Sequence, residues 1–193
     1  FALASLKRVI KCFKRGKTTD RTIAIAAIHS LSASVLPQAI SKIENRFGQL
    51  SFSILSVNHD ICFQALMTEE VSMMLAFETS NQKLQAPLDL VTKTVVTTDR
   101  LVPVCTPDLA TKIKNIVPGE EPIPLIGYPP HIFLGQVLYN DILLHSPHIY
   151  SKKLVAGMTK VVMSSARLGL GIAWLPLSFI KEELRDKELV FIE

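Results

Sequence analysis

Alternation of apolar, β-branched runs with helical spacing along nearly the whole chain constrains its fold more than any other feature. Ile23-Ala24-Ile25-Ala26-Ala27-Ile28 is an unbroken apolar run ending at His29-Ser30. Helical spacing follows over 32–47, through Leu36, Ala39, Ile40, Ile43 and Phe47, with Gly48 as its stop. The pattern repeats with a strand over 51–57, a short helix over 60–68 and a buried strand over 71–77. Strands buried on both faces and separated by helices predict a parallel sheet covered by helices on each side. The second half reads the same way after extended segments at 90–97 and 101–105. Helices are expected over 109–116, 133–143, 159–168 and 177–185, and strands over 125–128, 148–155, 172–175 and 189–192. Gly169-Leu170-Gly171 lies where the third of these helices must turn tightly into Ile172-Ala173-Trp174-Leu175-Pro176.

The chain has 193 residues, 48% of them apolar and 20% charged, enough for one large domain or two lobes with real cores. No apolar run approaches the roughly 18 residues of a membrane span. The first residues carry no small-residue cleavage site, so the expected location is the cytoplasm, with no membrane partner. Leu3, Leu6, Val9, Ile10 and Phe13 instead predict an amphipathic helix over 1–13, with a linker over 16–20. The net charge is +4, and Lys7, Arg8, Lys11, Lys14, Arg15 and Lys17 all precede the first acid, Asp20. Such a run is either a solvated helix face or a nucleic-acid contact, and beyond it the charges nearly cancel. Cys12, Cys62 and Cys105 are too scattered for a disulfide framework or a zinc site.

The signposts Leu36-Pro37 after Ser30, Leu101-Val102-Pro103-Val104, and Gly169 to Pro176 resemble the effector-binding (substrate-binding) domain of LysR-type transcriptional regulators. The resemblance covers about 21–193. It implies an α/β fold of two Rossmann-like lobes joined by a double hinge, similar to the type 2 periplasmic binding proteins, with a ligand cleft between the lobes. The implied division is 1–17 as the end of a linker helix, 20–99 with 176–193 as lobe I, and 100–175 as lobe II. Ala27-Ile28-His29-Ser30-Leu31-Ser32, Pro103-Val104-Cys105 and Met158 are similar to the hypochlorite-responsive branch of that family, which implies sensing through methionine oxidation. The expected partners are a small-molecule or oxidant effector and further copies of the chain, as a homodimer or tetramer. DNA contact is expected only through a winged helix-turn-helix lying outside these residues.

Candidate ligand-binding residues sit where strands give way to helices, since ligands of open α/β sheets bind at the carboxyl ends of strands. After the first strand, Ser30 and Ser32 either hold a carboxylate, oxyanion or halide or cap their own helix. His29 beside them is either a donor to that anion or a satisfied, part-buried histidine. Asn58 and His59 occupy the next such turn, where each is either a second polar ligand contact or, for Asn58 and in preference, a plain cap. In the second half, Tyr128 and His131 flank Pro129-Pro130, which is a ligand-facing turn or a rigid loop. Met158 and Thr159 open the helix leading to Gly169; Met158 is the leading redox-sensing candidate, and Met67, Met73, Met74 and Met163 are expected in the core. Cys105 is a second redox candidate without a basic neighbour in sequence.

No nucleophile elbow, P-loop or dinucleotide fingerprint is present, and the five histidines show no ligand spacing. The reading excludes catalytic residues, metal ligands and a cofactor. An alternative from a different class is the solute-binding module of a transport system, built on the same lobes.

Overall fold

The computed structural model describes residues 2–8, 22–83 and 90–192, the first stretch by its backbone alone. The chain forms two compact units, 1–99 and 100–193.

In the first unit, β1 (Ala2–Arg8), β2 (Thr22–Ile28), β3 (Ser51–Val57), β4 (Met73–Glu78) and β5 (Val91–Thr98) form one sheet in the order β3-β2-β4-β1-β5. The parallel core is β3-β2-β4, with Ile28 level with Val57 and Ala27 level with both Ser56 and Leu75. Burial of β2 rises along the strand until Ile25 to Ile28 are all covered, as expected of a strand flanked on both edges. Three helices follow these strands: α1 (His29–Ser34), α2 (Leu36–Phe47) and α3 (His59–Met67). The helix expected over 32–47 thus begins earlier, at His29, and breaks at Val35. Pro37 has no N–H to give the carbonyl one turn back, so the break falls just ahead of it.

The helix expected over 1–13 is not formed where the backbone is described. Ala2–Arg8 is a strand, antiparallel to β4 through pairs such as Leu6 with Met74 and to β5 through Leu6 with Lys93. Two complete ladders on either side outweigh a weak helical spacing, because backbone pairing of this kind is a tertiary effect. The rest of that stretch, with Cys12, the basic run from Lys11 to Lys17 and the linker at 16–20, lies outside the described residues.

The second unit holds β6 (Leu101–Cys105), α4 (Pro107–Ile113), β7 (Ile123–Gly127), α5 (Phe133–Gln136), β8 (Tyr150–Val155), α6 (Thr159–Arg167), β9 (Ile172–Pro176), α7 (Lys181–Arg185) and β10 (Val190–Phe191). Its sheet runs β10-β6-β9-β7-β8, with β7 parallel to β8 and β9, and β6 antiparallel to β9 and β10. The helix expected over 133–143 splits into α5, a wider π-type turn over Val137–Ile142 and a tight turn over Leu143–His145.

Residues 176–193, expected to return to lobe I, belong to this second unit. Val190 pairs with Cys105, the Leu177 N–H donates to the Arg100 carbonyl, and Ile180 and Leu189 are buried. Among the described residues the chain passes from one unit to the other once, at Asp99–Arg100, so the return crossing near 174–176 is not formed.

The Gly169 turn does what its sequence requires. Gly169 (φ +73°) donates to the Ala166 carbonyl and Leu170 to that of Ser165, the paired closure that ends a helix in a left-handed residue. At Gly171 a Cβ would run into the Pro124 carbonyl of neighbouring β7, so only glycine lets β9 approach that closely.

Candidate functional site

In the first unit the carboxyl ends of the three parallel strands deliver His29 and Ser30 after β2, Asn58 and His59 after β3, and Glu78 at the end of β4. A network joins the first two ends. His29 Nδ1 lies 3.0 Å from Ser56 Oγ, Ser56 Oγ lies 2.7 Å from Ser32 Oγ, and Ser32 Oγ donates to the His29 carbonyl at 2.9 Å. All three side chains are half-buried, able to meet a solute while held by one another.

Ser30 differs from its expected surroundings. It is 3% exposed and is the second helical residue, since Ile28 holds the cap position without a side-chain bond. Its carbonyl accepts from Ser34 Oγ at 2.8 Å. Capping is therefore not its role. Asn58 does occupy the cap position of α3, but its side chain makes no capping bond. His59 is largely buried, which lowers its pKa; the Phe77 backbone and the charges of Asp60 and Glu78 oppose that shift without reversing it. Beside it the buried Glu78 carboxylate pairs with Lys93.

In the second unit Tyr128 follows β7 and is fully buried. Burial pushes its phenol far above the usual range, partly offset by the side chain of Thr159, also buried. The two make no hydrogen bond of ordinary geometry, and the phenol oxygen has no such partner among the described residues. Met158 holds the cap position of α6, and its carbonyl accepts from Val161 and Val162. The residue is 50% exposed, whereas Met74 and Met163 are buried and Met67 and Met73 half-buried. His131 is exposed, and its carbonyl accepts from Gln136 Nε2 at 3.3 Å. Cys105 is buried, with its thiol donating to the Thr106 carbonyl and its pKa raised to about 11 by desolvation. A thiol kept protonated and covered is the reverse of a redox sensor, which argues against that role.

The structure thus gathers His29, Ser30, Ser32, Asn58 and His59 at one sheet edge, and Tyr128, Met158 and Thr159 in the other unit. Ser56, the hub of the network, escaped the sequence reading. Its signal was a hydroxyl placed last on the strand face that carries Phe52 and Ile54. Glu78 and Lys93 gave no local signal, because residues that pair across a sheet share no spacing. Among the described residues no group of three or more histidines, cysteines or carboxylates could hold a metal ion.

The family model of the LysR substrate binding domain matches residues 16–193. The chain belongs to that family. It is 29% identical over 174 residues to the HTH-type transcriptional regulator YjiE of Escherichia coli K12, covering 90% of this chain and 54% of YjiE. It is equally similar, over 90% of this chain and 68% of the relative, to the HTH domain-truncated transcriptional regulator QseD of Escherichia coli O157:H7. The chain therefore spans about half the length of YjiE and two thirds of QseD. Among solved structures, the bromide-bound regulatory domain of HypT from Salmonella typhimurium superposes with a TM-score of 0.68 at 24% identity. The match covers 91% of this chain and 80% of HypT's, and at that identity it speaks for the fold. The α/β fold expected for a LysR regulatory domain is the one observed.

Proposed function

We propose that this chain is the effector-binding part of a LysR-type transcription regulator, taking up a small ligand or oxidant at the strand ends described above. The observation that carries the reading is the network of His29, Ser32 and Ser56 at the carboxyl ends of β2 and β3, where open α/β sheets hold their ligands. An effector acts only through differential affinity for two arrangements of the domain, so binding shifts their populations and thereby the assembled regulator. The whole regulator works as a homodimer or tetramer in the cytoplasm and contacts DNA through a winged helix-turn-helix outside these residues; the domain itself catalyses nothing. The solute-binding alternative has no observation in its favour.

The oxidant is hypochlorite, and Met158 is its target. Two observations support this: Met158 is half-exposed where Met74 and Met163 are covered, and HypT is a hypochlorite-specific LysR-type regulator of the same fold. Oxidation makes the thioether a polar, chiral sulfoxide, reversible by reductases, at the start of α6. Mass spectrometry after graded hypochlorite tests it. Sulfoxide is expected at Met158 at doses that leave Met74 and Met163 intact, with a shift in Tm that a Met158→Leu chain does not show. Oxidation reaching the buried methionines first, or an equal Tm shift in Met158→Leu, would overturn it.

A further inference from the structure

The three contacts among His29, Ser32 and Ser56 fix where their protons lie. Each hydroxyl has one proton to give. Ser32 gives its proton to the His29 carbonyl at 2.9 Å, so its 2.7 Å contact with Ser56 needs the Ser56 proton. Ser56 then has only lone pairs for the ring of His29 at 3.0 Å, and the proton in that contact must come from Nδ1. Any other assignment leaves two oxygens in contact without a proton between them. The neutral ring is therefore the Nδ1–H tautomer, with its bare lone pair on Nε2. Nε2 has no hydrogen-bond partner among the described residues, and the side chain is half-buried rather than sealed.

From this geometry we infer that His29 selects the chemical class of ligand at this edge. With a neutral ring, Nε2 accepts from an O–H or N–H donor; an anion is held there only with uptake of one proton by Nε2. This rests on the reading of the strand ends as the effector site. At the end of neighbouring β4, Glu78 is buried and paired with Lys93. Neither β2 nor β3 carries a titratable side chain, and α2 carries Lys42, Glu44 and Arg46. Beyond the end of β3, α3 opens with His59 and Asp60.

Two measurements test it on the chain as it stands. The ¹⁵N shifts of the His29 ring at pH 8 read the tautomer directly; a protonated Nδ1 is expected, and a protonated Nε2 overturns the inference. Acetate and acetamide, similar in shape but opposite in class, are then titrated from pH 5.5 to 8.5 at constant ionic strength, following the same ring. Acetate affinity is expected to fall as the pH rises, while acetamide affinity holds or rises. Replacing the acceptor by Ser56→Ala is expected to mix the tautomers and shrink the contrast between the two probes, and His29→Gln to abolish its pH dependence. Binding of both probes without pH dependence overturns the inference alone. If neither probe binds at any pH, the effector-site reading beneath it fails, whatever the tautomer.

Discussion

At the carboxyl ends of β2 and β3, hydroxyls and an imidazole satisfy one another while remaining half-open to solvent. At the end of β7 in the second unit, the Tyr128 hydroxyl is sealed away without a bond of ordinary geometry, and at the start of α6 the residue that meets solvent is Met158. Both regions are built alike, a parallel strand running into a helix, and both attract a sequence reader looking for polar residues at such turns. The first edge is equipped for reversible polar recognition, because its donors and acceptors are in place before a ligand arrives. The second holds a covered phenol and, at the start of α6, one exposed methionine. Similar topology therefore carries two chemistries, separated by whether the polar groups at the strand end are paired and half-open or sealed.

The largest effect we expect tests whether the second unit depends on close backbone packing where the first does not. A Gly171→Ala side chain meets the Pro124 carbonyl, a backbone atom that cannot swing aside. A loss of ~3 kcal/mol is expected, read as a lower urea midpoint. The matched substitution in the first unit is Gly48→Ala, which has open space around its Cβ and only a left-handed backbone (φ +82°) to strain. It should lose about 1 kcal/mol. Equal losses would remove this part of the contrast between the units.

Next in size is the ion pair at the end of β4. Glu78 is nearly covered, with a side chain 8% exposed, whereas Lys93 remains 30% exposed, so the pair is worth less than a fully buried one. Lys93→Ala takes one partner from a nearly covered carboxylate, and about 2 kcal/mol of stability should disappear. Adding Glu78→Gln should restore most of it by removing the buried charge. If Lys93→Ala alone proves neutral in chemical denaturation, the charged corner of this edge has no structural role, and only the histidine–serine network distinguishes it.

The sequence was a good guide where local physics decides. The apolar run 23–28 forms a strand, because an uninterrupted apolar run can be covered only inside a helix-flanked sheet, and the segments expected at 51–57 and 101–105 form with those bounds. The turn at Gly169 was legible for a similar reason, since a left-handed closure after a helix favours glycine strongly. It was a poor guide where partners are distant. Ala2–Arg8 carries too few residues for its period to discriminate, and its identity as a strand comes from β4 and β5, remote in sequence. Residues 176–193 were assigned to the wrong unit on the same account, because the β10–β6 pairing has no local signature. In the site, strand ends could be located but depth could not. Ser30 and Tyr128 both stand at such ends, and both prove covered, while half-buried Ser56 reads in sequence as one more strand residue.

The smallest expected effect is the most diagnostic of that difference in depth. Tyr128→Phe removes a hydroxyl that is fully buried and has no partner of ordinary geometry among the described residues. Deleting a satisfied buried hydroxyl costs stability, but deleting an unsatisfied one removes a desolvated group that returns nothing, and the ring stays to fill its space. The expected change is therefore within about 0.5 kcal/mol of zero, or slightly stabilising. Thr159→Val, which takes away the side chain that lowers the pKa of that phenol, should then change stability by nearly the same amount in either background, because the two share no hydrogen bond of ordinary geometry. A loss above about 1 kcal/mol for Tyr128→Phe, or strong coupling to Thr159→Val in a double-mutant cycle, would mean that the phenol is held by a real bond. In that case the second unit also keeps a formed polar pair at its strand end, and the two edges differ in exposure alone.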